Sequence, residues 1–337
     1  MMNSVLYVVC LILGGASALF ATKFGYKLGM VDVPSERSSH TKAMPKGGGI
    51  GILAAFVLSS LLLNIPPGLW VSAAILTLIS FYGDKSELSP KFRLLVQFIA
   101  AVVFLCTSLV SNSSFYISSL VLHCHLLFSG VWILFLAIFI VATANFYNFM
   151  DGINGIAAIT GIVGFGLLAF FANISGADSS LIILSICMAF SCLGFLPFNM
   201  PRAKVFMGDV GSILLGFVFA GMIVLISKSF LDFICLTAFL FTFYADELTT
   251  MMVRIKDSEK LNQPHRRHLY QLLANEYRIP HWKISMAYGV TQFIIGISVM
   301  MAKNIGSVMV ILMLVVYFCG FAEISWLIRK KLVGRIG

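Results

Sequence analysis

Residues 145–158 read NFYNFMDGINGIAA and stand between two apolar runs, 128–145 and 153–173. A bilayer is crossed by about 20 mostly apolar residues in helical form, so the polar stretch marks where the chain surfaces between two spans. Working outward, the pattern recurs at 4–21, 47–64, 67–83, 92–111, 180–198, 210–227, 231–248, 283–302 and 306–327. The sequence predicts an all-α, polytopic membrane bundle of about eleven transmembrane helices, forming a single domain over residues 1–337. Composition agrees: 59% of the residues are hydrophobic and 11% charged, more apolar surface than a soluble chain of this length hides. The first run has no basic segment ahead of it and reads as a span, not a cleaved signal peptide.

The net charge of +9 is distributed unevenly. If every span is counted, all basic residues except Lys228 and Lys303 fall in loops on one side. The positive-inside rule puts that side in the cytoplasm, with the N-terminus outside and the C-terminus cytoplasmic. The charge is thus accounted for by topology, and no nucleic-acid partner is expected. The seven cysteines mostly lie within spans, where thiols behave as small hydrophobes. His123, Cys124 and His125 are consecutive and cannot easily all face one ion, so they read as interfacial filler.

Three acids stand at the inner ends of spans within short motifs: Asp84, Asp151 and Asp209. Carboxylates at a membrane boundary are costly and face a cavity or a partner. Three converging at one depth suit a hard cation such as Mg2+, which takes oxygen ligands and keeps several waters. The blander alternative is that each caps a helix.

Four polar clusters accompany them. In the opening stretch, Asn145, Asn148 and Asp151 at a spacing of three lie near one face of a helix end, unless they simply form an Asn-rich turn. Residues 198–217, FNMPRAKVFMGDVGSILLGF, offer Asn199, Arg202 and Lys204 to an anion and open a span at Gly208–Ser212, where free N–H groups suit phosphate. Residues 37–52, RSSHTKAMPKGGGIGI, place Gly47–Gly49 after Lys46. They read equally as a phosphate cradle and, through Gly47 and Gly51, as a small-residue helix contact. Residues 263–273, QPHRRHLYQLL, carry His265, Arg266, Arg267 and His268; they suit a diphosphate or, alternatively, anionic membrane lipid.

In chain order, SHTKAMPKGGGIGI, GDKSELSPKFRLLVQ, NFYNFMDGINGIAA, VFMGDVGSILLGF and HRRHLYQ resemble the polyprenyl-phosphate N-acetylhexosamine-1-phosphate transferases, of glycosyltransferase family 4 type. The resemblance covers roughly residues 20–285. It looks closer to the O-antigen-initiating branch than to the branch that handles a muramyl-pentapeptide. It implies transfer of a sugar-1-phosphate from a UDP-N-acetylhexosamine to undecaprenyl phosphate, giving UMP and a lipid diphosphate sugar. The enzyme would sit in the bacterial inner membrane with its site on the cytoplasmic face, use Mg2+ (Mn2+ as substitute), and leave room for a homodimer. By the same resemblance Asp209 is the metal ligand and Asp84 deprotonates or orients the lipid phosphate. Asp151 lines the nucleotide-sugar pocket with Asn145, Asn148 and Asn199. His265, Arg266, Arg267 and His268 hold the donor, and Lys91 and Arg93 attract the lipid phosphate; Lys46, beside the glycine run, is a further substrate-binding candidate.

Two positions depart from the family pattern. Gly83 precedes Asp84 where the family usually has a second Asp, which raises the alternative of a catalytically impaired member. Asn154 stands where many members have Asp, removing a charge but keeping an oxygen. A transporter is the rival from another class. It fits less well, because the acids gather at one boundary and not at the bilayer midplane.

Overall fold

The computed structural model describes residues 2–34, 39–83, 88–111, 126–260 and 265–336. The expected site residue Asp84, its neighbour Lys85 and the His123–His125 trio lie outside these. The helices are α1 Met2–Phe24, α2 Ile50–Leu62, α3 Pro67–Gly83, α4 Pro90–Ser111, α5 Leu126–Phe149, α6 Ile156–Ile174 and α7 Ser179–Asn199. They continue with α8 Asp209–Ile226, α9 Phe230–Thr237, α10 Phe241–Lys256, α11 Leu269–Asn275, α12 His281–Lys303 and α13 Ser307–Ile336. The only sheet among the described residues is a two-residue antiparallel pair, β1 Val31–Asp32 with β2 Met44–Pro45. The chain is an all-α polytopic membrane protein.

Every expected span is helical, but not every one is a full span. Eight helices among the described residues are long and apolar enough to cross a membrane. The expected span 47–64 shrinks to α2, 13 residues, about 20 Å at the helical rise. It starts late because Gly48 and Gly49 are engaged in a turn, their N–H groups donating to the carbonyls of Phe206 and Met207 at 3.0 Å each. It stops early at Asn64, whose φ of +52° ends the helix ahead of Pro66 and Pro67. α3, with 17 residues, is also short. The expected span 231–248 is broken: α9 gives way to a 3-10 turn at Ala238–Leu240, and α10 follows. The second piece carries Asp246, Glu247, Thr249, Thr250 and Arg254, all buried. Side chains of this kind require protein partners; Thr249 bonds within its own helix, and the others find partners in Glu259, Lys260, residues 267–270, α12 and α13.

Helix α8 forms the centre of the bundle: 89% of its apolar window is buried, against 6% for α13 at the periphery. Its Phe217 and Phe219 belong to a core that also takes Phe56, Phe104, Phe165, Phe171 and Phe239. Helices α1 and α7 meet through small residues. Gly14 lies against the Ser191 carbonyl and Gly194 against the Leu11 carbonyl, with no room for a Cβ on either. Van der Waals contact at close backbone approach is what holds helices together in lipid.

The two ends of the bundle differ in character. One gathers the ends of α3, α5 and α7 with the starts of α2, α4, α6, α8 and α12. At the other, Lys228 Nζ donates to the carbonyls of Ser175 and Gly176 at 2.6 and 3.0 Å, and Lys303 pairs with Asp232 at 2.5 Å.

Candidate functional site at the polar end of the bundle

The site is built on Asp209, the first residue of α8. Gly208 precedes it with φ +75°, a conformation open to glycine, and so delivers the carboxylate to the end of the helix. Arg93, in the first turn of α4, donates from Nη1 to Asp209 Oδ2 at 2.8 Å, and from Nη2 to the Gly83 carbonyl at 3.2 Å. Asn148, near the end of α5, donates to Asp209 Oδ1 at 2.9 Å and to Ser212 Oγ at 2.8 Å. Four helix ends thus converge on one carboxylate. Asp209 is 23% exposed and Arg93 35%, so these partners can be exchanged for a ligand.

Asp151 lies just past α5. Desolvation and the negative charge of Asp209 push its carboxyl well above the usual carboxylate range. A carboxylate whose ionisation is disfavoured by burial and by a neighbouring negative charge marks a place where a cation would be stabilising. Mg2+ needs only one or two carboxylates, with water and substrate phosphates completing its shell. Asp151 and Asp209 therefore fit a hard divalent cation. No cluster of three or more His, Cys, Asp or Glu able to hold a metal occurs among the described residues.

Several residues expected in the pocket tie elements of the fold together. Asn145 donates to Gln97 Oε1 at 2.5 Å and to the Val141 carbonyl at 2.7 Å, joining α5 to α4. The reason is helical geometry: successive steps of three residues each fall about 60° short of a full turn, so Asn145 and Asp151 do not share a face. Asn199 is buried. Its Oδ1 accepts the Gly155 N–H at 2.6 Å and its Nδ2 donates to the Val205 carbonyl at 2.9 Å. It thereby pins the turn at Gly155 (φ +86°) that starts α6. The phosphate-cradle reading of Gly47–Gly49 fails for Gly48 and Gly49, whose N–H groups are already committed. The helix-contact reading holds at Gly51, which packs on Leu13 and Ser17 of α1 and donates to Ser17 Oγ at 2.8 Å. Lys46 follows β2, its N–H donating to the Met30 carbonyl at 3.0 Å. Lys91, Arg202 and Lys204 are exposed.

The HRRH cluster divides likewise. Arg267 binds Asp257 at 2.5 Å and also Glu259, carboxylates of its own loop. Arg266 faces Glu276 at 3.9 Å. His265 is pushed down to about 4 by desolvation and by the nearby positive charges of His268 and Arg254, so its ring is neutral at pH 7. His268 is buried between two acids, with Nδ1 3.8 Å from Asp246 and Nε2 3.4 Å from Glu247. That burial sets it apart from His265, which is only half-buried. Asp246 and Glu247 escaped the sequence reading because the apolar run 231–248 absorbed them. Two adjacent acids at the end of an otherwise oily stretch were the available signal.

The family model for glycosyl transferase family 4 matches residues 66–227, which include Arg93, Asn148, Asp151 and Asp209. The chain is 28% identical over 322 residues to the probable undecaprenyl-phosphate N-acetylglucosaminyl 1-phosphate transferase of Bacillus subtilis (strain 168), covering 92% of this chain and 88% of that protein. It is 29% identical over 289 residues to the phospho-N-acetylmuramoyl-pentapeptide-transferase of Staphylococcus saprophyticus, covering 77% and 88%. Over 214 residues it is 33% identical to the decaprenyl-phosphate N-acetylglucosaminephosphotransferase of Mycobacterium leprae, covering 58% and 54%.

Proposed function

We propose that this chain, whose residues 66–227 match the family model for glycosyl transferase family 4 and which is similar to phosphotransferases over most of its length, transfers an N-acetylhexosamine-1-phosphate from a UDP-sugar to undecaprenyl phosphate. The products are UMP and undecaprenyl-diphosphate-sugar, the first lipid-linked intermediate of O-antigen or a related surface polysaccharide. The observation that carries this reading is the convergence of Arg93 and Asn148 on Asp209, beside Asp151, at one end of a membrane bundle. A lipid phosphate anchored in the bilayer and a soluble nucleotide-sugar can meet only at such a boundary, taken here as the cytoplasmic face of the bacterial inner membrane. Similarity to phosphotransferases also weighs against the transporter.

An oxygen of the lipid phosphate attacks the sugar-bearing phosphorus of the donor. The bond from that phosphorus to the bridging oxygen breaks, and UMP leaves with the electron pair. Two anions must approach, so the site's task is positioning and charge compensation. Asp209 and Asp151 would hold Mg2+, or Mn2+ in its place, which supplies neutralisation of the phosphate charge when bound. Arg93 can exchange Asp209 for a phosphate oxygen, as a guanidinium suits both, and Lys91 beside it draws the lipid phosphate in. Asn148 fixes the orientation of Asp209. Lys46, Arg266 and the neutral His265 face the donor. The role of Asp84 toward the lipid phosphate rests on the family resemblance alone.

The test uses purified protein in detergent with Mg2+, undecaprenyl phosphate and a panel of UDP-N-acetylhexosamines headed by UDP-N-acetylglucosamine. UMP release that requires both lipid and one donor is the expected result. Release that is indifferent to the lipid, or no release from any donor by folded protein, would overturn the proposal.

A further inference from the structure

Outside the Asp209 cluster, Asp246, on α10, has no exposed surface. Its Oδ1 accepts the Leu269 N–H at 2.7 Å and the Thr250 hydroxyl at 3.2 Å. Its Oδ2 accepts the Tyr288 hydroxyl at 2.7 Å and the Tyr270 N–H at 3.2 Å. His268 stands 3.8 Å from the same carboxylate and stacks on Tyr270, with ring centres 5.6 Å apart and planes at 17°. Tyr270 reaches the other cluster: its hydroxyl donates to the Phe149 carbonyl at 2.9 Å and lies against Gly152, leaving no room there for a Cβ. One buried carboxylate on α10 thus ties together α12 through Tyr288, the start of α11, and the Asp151–Gly152 turn through Tyr270.

We infer that Asp246 is a positioning residue that holds the 265–270 segment, and with it His265, in register with the Asp151 turn. Buried carboxylates saturated by backbone N–H donors fix geometry, because no other group can satisfy those donors once it is gone. The inference rests on the transferase reading for its kinetic consequence, since the 265–268 segment is there taken to face the donor. Asp246 touches neither substrate in that reading and works through His268, Leu269 and Tyr270.

The test combines kinetics with hydrogen exchange on the full chain in detergent. Asp246→Asn keeps the shape but loses the charge and one acceptor. It is expected to raise the donor KM about tenfold or more while the KM for undecaprenyl phosphate stays within about twofold. Amide exchange should quicken across residues 268–272 and stay unchanged in α8. Tyr288→Phe, which removes a single donor, should move both readouts the same way by less, and serves if Asp246→Asn does not fold. Adding His265→Ala to Asp246→Asn should cost little more than either alone, since both act through one segment. Unchanged exchange at 268–272, a loss confined to kcat, or fully additive effects would overturn the inference. If the unmodified chain transfers no sugar-phosphate, the transferase reading fails, and the exchange measurement still decides whether Asp246 positions the segment.

Discussion

Asp209 and Asp246 are both ringed by hydrogen-bond donors, yet the first is 23% exposed and the second not at all. Among the described residues, Asp209 is met by two side chains, Arg93 and Asn148. Asp246 is met by two backbone amides, two hydroxyls and a histidine. Side-chain partners at a water-accessible carboxylate can swing to a substrate at small cost, because surface ion pairs are worth about 1 kcal/mol or less. Backbone amides cannot move, and a buried charge stripped of its partners is strongly destabilising. The same residue type is therefore open to exchange in one place and locked in the other.

The largest expected effect separates these roles directly. Asp209→Asn is expected to lower turnover by about a thousandfold or more while the thermal midpoint in detergent barely moves. A large fall in that midpoint would mean that Asp209, too, is architectural. Asp246→Ala should do the reverse in kind, costing about 3–5 kcal/mol of stability, read as a lowered midpoint or lost yield of folded protein. Wild-type stability in this variant would erase the contrast.

Gly83→Asp sharpens the comparison at the open site. A Cβ at Gly83 would lie 3.6 Å from Arg93 Nη2 and 3.0 Å from the flexible tip of Leu88, so a carboxylate there competes with Asp209 for the guanidinium. Turnover is expected to change by less than about tenfold in either direction. A gain of about a hundredfold would revive the reading of a chain disabled by its missing Asp.

Asp151 supplies a smaller, pH-dependent effect. Its carboxyl lies above the usual range in the folded protein, so the native state holds this proton more tightly than the unfolded chain does. Stability then falls as pH rises from the ordinary carboxylate range through the raised value. Asp151→Asn should abolish that fall, making the variant the more stable protein at neutral pH without metal, though inactive. Parallel unfolding curves across the range for both proteins would refute this. The smallest effect belongs to His265, held to about 4, below its ordinary value near 6.5. Its stability contribution is present above 6.5 and is lost as pH falls toward 4. His265→Gln should flatten that acid-side slope, and the same slope in both proteins would count against it.

Much of this molecule was legible in its sequence, unevenly. The long spans were plain because each needs a run of apolar side chains, whatever surrounds it. The short α2 and the break between α9 and α10 were not, because hydropathy does not register a Gly48 or Gly49 N–H committed to another loop, or acids that will find partners across the fold. The Asp209 cluster was partly readable: Asp209, Asn148 and Arg93 were each candidates, for a metal, the nucleotide-sugar and the lipid phosphate, but nothing in the sequence said that Arg93 and Asn148 would meet on Asp209. Asn145, Asn199 and His268 look the same in the sequence as Asn148 and His265. Only the three-dimensional partners Gln97, Gly155 and Asp246 single out the three that tie elements together.

The most direct test of the account follows a radiolabelled sugar from its UDP donor into extractable undecaprenyl-diphosphate lipid, comparing the unmodified chain with Asp209→Asn at matched folded concentration. The account predicts labelled lipid from the unmodified protein and almost none from the variant, with both unfolding at the same temperature. Equal labelling by the two proteins would contradict it, because chemistry that survives the loss of Asp209 is not centred where Arg93, Asn148 and Asp151 converge.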